Sequence, residues 1–422
     1  MSLHSHLPAS GASAPREYIP HITRRQKTGQ LWLILFQGAT VIGIIVLASL
    51  LLNIVNSSFG YVVVETDVDP ASLAVDGVPL EDLPKEELVR ILQENISAGV
   101  FRRLEREQPF ATRSRQSVYD LVQERVIGFK VVAQWSLFQS LFQSDRIRAE
   151  VAAEYEGKWL LFQSWLNPKF LVSPQSGDAA RAGVRTAILG SLWTVLIAIV
   201  FSFPIGVGAA IYLEEYAADH VVNRMIRTNI NNLAGVPSII YGMLGLAIFV
   251  RALEPVTSGA IFGAADPTTA NGRTVISAGM TLGLLVLPMI IINAQEAIRA
   301  IPNSLRQASL GLGATKWQTI WHHVLPNALP GILTGTILAV SRALGETAPL
   351  VVIGASTYIT SDPNGLFAKF TTLPIQIYQW TSRPQDVFRN IAAAGSIVLL
   401  VLLLSLNAAA ILMRNHFSRR LS

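Results

Sequence analysis

Arg342 and Glu346 are the pair in this chain whose residue types and spacing most invite chemistry. They stand four apart in an apolar stretch that runs from about Ala328 to Ile353, and that spacing puts two side chains on one face of an α-helix. A lone charge near the centre of a bilayer costs roughly 2.5–3.5 kcal/mol on insertion scales, so such groups face a protein interior and a partner. A guanidinium offers a fork of donors that matches an oxyanion, and a carboxylate beside it weakens the grip so that the anion can leave. The other reading of the two residues is an ion pair that only fixes packing.

A second group lies in a polar stretch, 302–326, between two apolar ones. Pro302 suits a first helical position, where its missing N–H has no intrahelical partner anyway. The spacing predicts a helix from Asn303 that Gly311 and Gly313 stop with a positive φ. Thr315 then opens a second helix, Gln318 completes its capping box, and Leu325-Pro326 closes it. The product is two short helices at an angle, a compact knob. An ordinary connector and a DNA-binding helix–turn–helix are alternatives, although a recognition helix needs room to enter a groove and this one is tethered closely at both ends. Gly311-Leu-Gly-Ala-Thr-Lys316 lacks the spacing that sets a P-loop lysine on a phosphate.

Candidates for catalysis or metal binding are missing from this pattern. The chain has no cysteine, so no thiolate attacks a substrate or binds a metal. His322 and His323 are adjacent and do not share a helix face, and no nucleophile–base arrangement or paired carboxylates stand out. The expectation is a non-enzymatic chain with no catalytic residues, no metal and no cofactor of its own.

The elements that must position these residues are membrane spans. Hydrophobic residues make up 51% of the chain and charged residues 14%, too little charge for two or three soluble domains. The net charge of +5 does not suggest nucleic acid as a partner. Runs of about 18 or more apolar residues belong in a bilayer, and six are present: Leu31–Ile54, Val184–Leu213, about Ile230–Leu253, Val275–Ala294, Ala328–Ile353 and Ile391–Met413. The first is too long for a signal-peptide core and lacks a small-residue cleavage site after it, so it reads as a retained signal-anchor.

Orientation follows from the Lys/Arg bias of short loops. One side carries Arg16, Arg24, Arg25, Lys27, Arg224, Arg227, Arg299, Arg306, Lys316, Arg414, Arg419 and Arg420; the other carries Arg251, Arg273, Lys369, Arg383 and Arg389. Both termini and the knob are thus expected in the cytoplasm. The resulting organisation is a cytoplasmic segment 1–30, a first helix 31–55, an extracytoplasmic α/β domain 56–182, a transmembrane domain 183–413 with the knob at 297–327, and a cytoplasmic tail 414–422. In the outer domain Tyr61–Thr66 reads as a strand, and Pro84–Ile96 as a helix with Leu88, Ile91 and Leu92 on one face. Ser117–Ile127 shows the same helical pattern. Leu-Phe-Gln-Ser recurs at 137–140, 141–144 and 161–164; the two adjacent copies read as one amphipathic helix face.

Several of these motifs resemble a known family. Gln307-Ala308-Ser309, Gly313 and Leu325-Pro326 stand at the spacing of the EAA loop of ABC-importer permeases, with Gln307, Ser309 and His323 departing from its residue types. Ala210–Ala217, Gly235-Val-Pro-Ser-Ile-Ile-Tyr-Gly242 and Arg342-Ala-Leu-Gly-Glu-Thr-Ala-Pro-Leu350 resemble the phosphate-permease family, its PstA type most closely. The resemblance covers about 184–413 and implies the six-helix all-α transmembrane fold of an ABC-importer permease. It further implies inorganic phosphate as the solute, and as partners a PstC-like second permease, two ATP-binding subunits and an extracytoplasmic phosphate-binding protein in a bacterial cytoplasmic membrane. On this reading Arg306, Gln307, Ala308, Ser309, Gly313, Lys316, Leu325 and Pro326 couple the chain to the ATPase, while Arg342 and Glu346 line the passage. Sulfate or molybdate remains open as the solute, and a membrane-anchored sensor or scaffold is the alternative from another class.

Overall fold

The computed structural model describes residues 22–419 apart from 67, 76, 108, 156, 178, 265–271, 356–358, 360 and 361. Most of the N-terminal segment, with Arg16, and the end of the tail, with Arg420, lie outside the described residues. Residues up to Asn53 form one compact unit and Ile54–Ser422 a second. The first unit is the body of helix α1 (Ile22–Ser58), which extends beyond the expected Leu31–Ile54 at both ends. Its leucines, isoleucines and valines from Leu31 to Leu52 are exposed. A helix apolar all round is built for lipid rather than water.

The second unit opens with an α/β domain. Strand β1 (Phe59–Thr66) is followed by α2 (Lys85–Asn95), α3 (Ala98–Glu107), α4 (Arg115–Val122), β2 (Phe129–Gln134), α5 (Leu137–Phe142), α6 (Ser144–Glu154), β3 (Trp159–Ser164) and α7 (Pro168–Val172). The three strands form an antiparallel sheet in the order β2-β1-β3. Leu88, Ile91 and Leu92 are buried as their spacing predicts, together with Leu104, Phe110, Val118 and Val122. The β-branched run of β1 alternates faces. Val63 packs with Ile147 and Val151, whereas Val62 and Val64 join a core containing Val184, Ala187, Trp380, Phe388 and Ile391. The sheet therefore rests directly on the membrane helices, and the domain is no separate bead on a tether.

Those helices are α8 (Arg185–Ile211), α9 (Val221–Ala234), α10 (Ser238–Gly245), α11 (Glu254–Thr257), α12 (Val275–Arg299), α13 (Asn303–Gly311), α14 (Lys316–Thr319), α15 (Leu325–Gly345), α16 (Ala348–Ile353), α17 (Leu373–Thr381) and α18 (Asp386–Arg419). Among the described residues five continuous helices are long and apolar enough to cross a membrane, and a bent pair makes a sixth when counted as one span. That pair stands where one span, about Ile230–Leu253, was expected, and it begins earlier, at Val221. The chain turns by 105° between α9 and the helix that starts at Ser238, because Pro237 lacks an N–H and pushes Val236 out of the helical region.

The fifth span departs from the expected Ala328–Ile353 at both ends. Its helix stops at Gly345, four residues before Pro349, whose ring would meet the Gly345 carbonyl in a continuous helix. At the other end Leu325-Pro326 does not stop the knob's second helix. A π-turn (Ile320–Val324) joins α14 to α15, with the Leu325 N–H donating to the Ile320 carbonyl five residues back. This wider turn makes room for Pro326, so one helix runs from Lys316 to Gly345.

Candidate functional site

The knob is built as the local sequence dictates, with two adjustments. Pro302 is the N-cap of α13 rather than its first residue. Of the two glycines expected to stop the helix, Gly311 is its last residue and Gly313 alone is left-handed, at φ +86°. The Ala314 N–H donates to the Ser309 carbonyl and the Gly313 N–H to the Leu310 carbonyl, the paired bonds of a glycine-terminated helix end. Thr315 caps α14 reciprocally with Gln318, at 3.3 and 2.9 Å. The Ser309 and Thr319 hydroxyls meet at 2.9 Å and are buried. This pins the two helices together and takes Ser309 out of any contact face, where the resemblance had put it.

The exposed residues of the knob include Gln307, Ala308, Leu312, Lys316, Trp317 and Trp321. Trp317 and Trp321 stack at 5.5 Å. Sequence reasoning passed over them, although two tryptophans four apart in a polar stretch are a signal for an apolar contact. Lys316 lies over the Tyr216 ring at 5.1 Å. Leu325 and Pro326 are half-buried inside the continuous helix, next to a core of Ala294, Ile298, Val324, Ala328 and Ile332.

An ion-pair platform supports the knob. The α8 span ends in a π-turn, Tyr212–Tyr216, that carries Glu214 and Glu215. Glu214 accepts from Arg227 on α9 and Arg299 at the end of α12, both at 2.7 Å. Glu215 accepts from the Arg306 Nε and Nη2 at 3.0 and 2.8 Å. Arg306 also donates to the carbonyls of Ile298 and Ile301 at 2.9 and 2.6 Å. Arg306, expected as a contact for a partner, and Arg299 are thus engaged within the chain. From the sequence Glu214 and Glu215 fit helix-end chemistry as well as contact with an ATPase; their partners in the structure are 13 to 91 positions away along the chain.

Within the membrane the two broken spans meet. A Cβ on Gly242 would lie 2.6 Å from the Pro349 Cα, so only glycine lets α10 and α16 touch there. The two family-like motifs, 235–242 and 342–350, are in this way parts of one site. Arg342 is in the last turn of α15, and Glu346 caps that helix in an extended conformation instead of continuing it. The Arg342 Nε still donates to the Glu346 Oε1 at 3.2 Å, and its Nη1 approaches the Met289 Sδ of α12 at 3.2 Å. A cation at the end of a broken helix, paired with one weakly held carboxylate, can exchange that carboxylate for an anionic solute.

A family model described as binding-protein-dependent transport system inner membrane component matches residues 202–422, just over half of the chain. The chain belongs to this family. It is 32% identical over 261 residues to the probable ABC transporter permease protein YqgI of Bacillus subtilis, covering 58% of this chain and 83% of that one. The phosphate transport system permease protein PstA 1 of Mycobacterium tuberculosis is 33% identical over 239 residues, 56% of this chain and 72% of its own. PstA of Xylella fastidiosa is 33% identical over 237 residues, with shares of 56% and 76%. A solved inward-facing structure of the MetNI methionine ABC transporter aligns at 19% identity and a TM-score of 0.42 over 56% of this chain and 97% of that one, too loosely to add to the sequence match. The chain is accordingly a multi-pass inner-membrane permease subunit of an ABC importer, a transport component rather than an enzyme, and membership implies ATPase and binding-protein partners. The α/β domain precedes the matched residues.

Proposed function

We propose that this permease carries inorganic phosphate into the cytoplasm, driven by ATP hydrolysed on separate chains that grip the knob. Both termini and the knob are cytoplasmic in this reading, and the α/β domain is extracytoplasmic. The assembly comprises a PstC-like second permease, two ATP-binding subunits and an extracytoplasmic phosphate-binding protein. The observation that carries the coupling is the unbroken helix from Lys316 to Gly345. At 1.5 Å per residue it is a rod of about 45 Å, with Trp317 near one end and Arg342 near the other. A cleft that closes on Trp317, Trp321, Lys316, Gln307 and Ala308 moves Arg342 as part of the same rigid piece, the kind of coupling that alternates access in transporters. Arg306, Ser309, Gly313, Leu325 and Pro326 keep the shape of that piece.

Phosphate as the solute is supported by the PstA relatives and by the chemistry of Arg342. Its guanidinium pairs with the phosphate oxygens, and Glu346 competes for the same donors, so the anion is held weakly and released. The test is phosphate uptake by the reconstituted complex with sulfate and molybdate as competitors. Neither competitor reduces uptake if phosphate is the solute, and transport of either in its place moves the function to another oxyanion. Arg342→Gln lowers uptake by about tenfold or more at unchanged expression, since hydrogen bonds to a charged group contribute about 1.5–3 kcal/mol. An unaffected rate leaves Arg342 a packing residue.

A further inference from the structure

The transport reading makes no use of Leu-Phe-Gln-Ser at 137–140, 141–144 and 161–164. The first two copies form α5 and lead into α6, while the third is most of β3. Their backbones differ, yet each leaves apolar side chains exposed: Phe138 in the first, Leu141 and Phe142 in the second, Leu161 and Phe162 in the third. In α5 a polar residue is the one turned in: Ser140 is 4% exposed and accepts a hydrogen bond from the Tyr61 N–H at 2.8 Å. Phe138, Leu141 and Phe142 are 62%, 64% and 71% exposed, and the two phenyl rings pack at 4.4 Å. A short helix facing water does the reverse. On the edge strand β3, Trp159, Leu161 and Phe162 are exposed as well.

The position of this surface says what covers it. Val62 and Val64 of β1 pack on Val184 and Ala187 at the start of α8 and on Phe388 and Ile391 at the start of α18. Leu161 and Trp159 are the cross-strand partners of Val62 and Val64 and so share the sheet face turned to the membrane. The Phe138 N–H donates to the Asn56 Oδ1 at 2.8 Å, two residues beyond the apolar run that ends at Ile54. The exposed surface therefore continues the apolar belt of the spans, at the end opposite Glu214, Arg299 and the knob. Phe, Leu and Trp are the residues that interfacial helices sink into the boundary between headgroups and acyl chains.

We propose that Phe138, Leu141 and Phe142 of the first two copies and Leu161 of the third, with Trp159, seat the α/β domain in the lipid of that membrane face and fix its height over the passage. The absence of cysteine from the chain makes a single nitroxide label at Leu141→Cys unique in this subunit. The measurement is its accessibility to oxygen and to a water-soluble nickel chelate, in the full complex with cysteine-free partner subunits, in nanodiscs of phosphatidylethanolamine and phosphatidylglycerol. Lipid seating gives an oxygen-to-nickel ratio severalfold above that of Glu94→Cys on the exposed face of α2, with a depth of about 5–10 Å below the headgroup boundary. A ratio equal to that of Glu94→Cys overturns the proposal in favour of water. Shielding from both reagents overturns it in favour of a protein partner. Phe142→Cys repeats the measurement in an independent variant, and a Glu94→Cys spectral lineshape of an ordered helix surface, not of a disordered chain, checks that the domain is folded.

Discussion

Glu215 and Arg306 are the residues at which burial makes charge most expensive to disturb. Both side chains are largely buried and hydrogen-bonded, and removing one member of such a pair leaves the other uncompensated, at a cost of up to about 3–5 kcal/mol. Glu215→Gln and Arg306→Gln should each lower the denaturation midpoint of the solubilised subunit and reduce coupled uptake. The double variant should be less destabilised than the sum of the two by about 1–3 kcal/mol. Strict additivity in that cycle would show that the two charges act independently. Gly313 differs in kind: a Cβ there meets nothing within 4 Å, so substitution costs only the left-handed backbone, about 1–2 kcal/mol.

At the scale of elements, the knob's second helix and the fifth span are one rod. Two helices joined by a flexible link would let a partner hold the knob without moving Arg342. Inserting Gly-Gly between Val324 and Leu325 creates that link, since each glycine weakens a helix by about 1 kcal/mol and the Leu325 bond to Ile320 is lost. The expected outcome is retention of the ATPase subunit on the solubilised complex with phosphate uptake at background. Uptake within a factor of about two of the parent, less than 0.5 kcal/mol in barrier terms, would falsify the rod as the coupling element. The π-turn before Pro326 is thus a device for keeping the helix whole where a proline would otherwise end it.

At the scale of the whole second unit, the sheet and the membrane helices share one core through Val62, Val64, Trp380 and Phe388. A shared core unfolds together with its parts. Val64→Asp places an unpaired carboxylate among apolar side chains and removes about 2 kcal/mol of burial besides. It should lower the melting temperature of the membrane helices along with that of the domain, read by thermal unfolding in detergent. A domain that melts alone, with the permease unaffected, would mean that the sheet is only tethered.

Much of this was legible from residue order. Run length against bilayer thickness located the six apolar segments, capping chemistry placed Thr315 and Gln318, and periodicity picked out β1 and the buried face of α2. All of these depend on neighbours within a turn or two of chain. The tertiary structure alone decided that Leu325-Pro326 lies inside a rod and that Glu346 caps a helix instead of extending it. It also decided that Glu214 and Glu215 hold Arg227, Arg299 and Arg306, that Gly242 meets Pro349, and that one tetrapeptide is helix at 137–140 and strand at 161–164. Leu161 is extended because Val62 pairs with it, and Arg306 is held because Glu215 lies beneath it. Partners that far apart along the chain leave no trace in local spacing, and so only the folded chain could bring them to light.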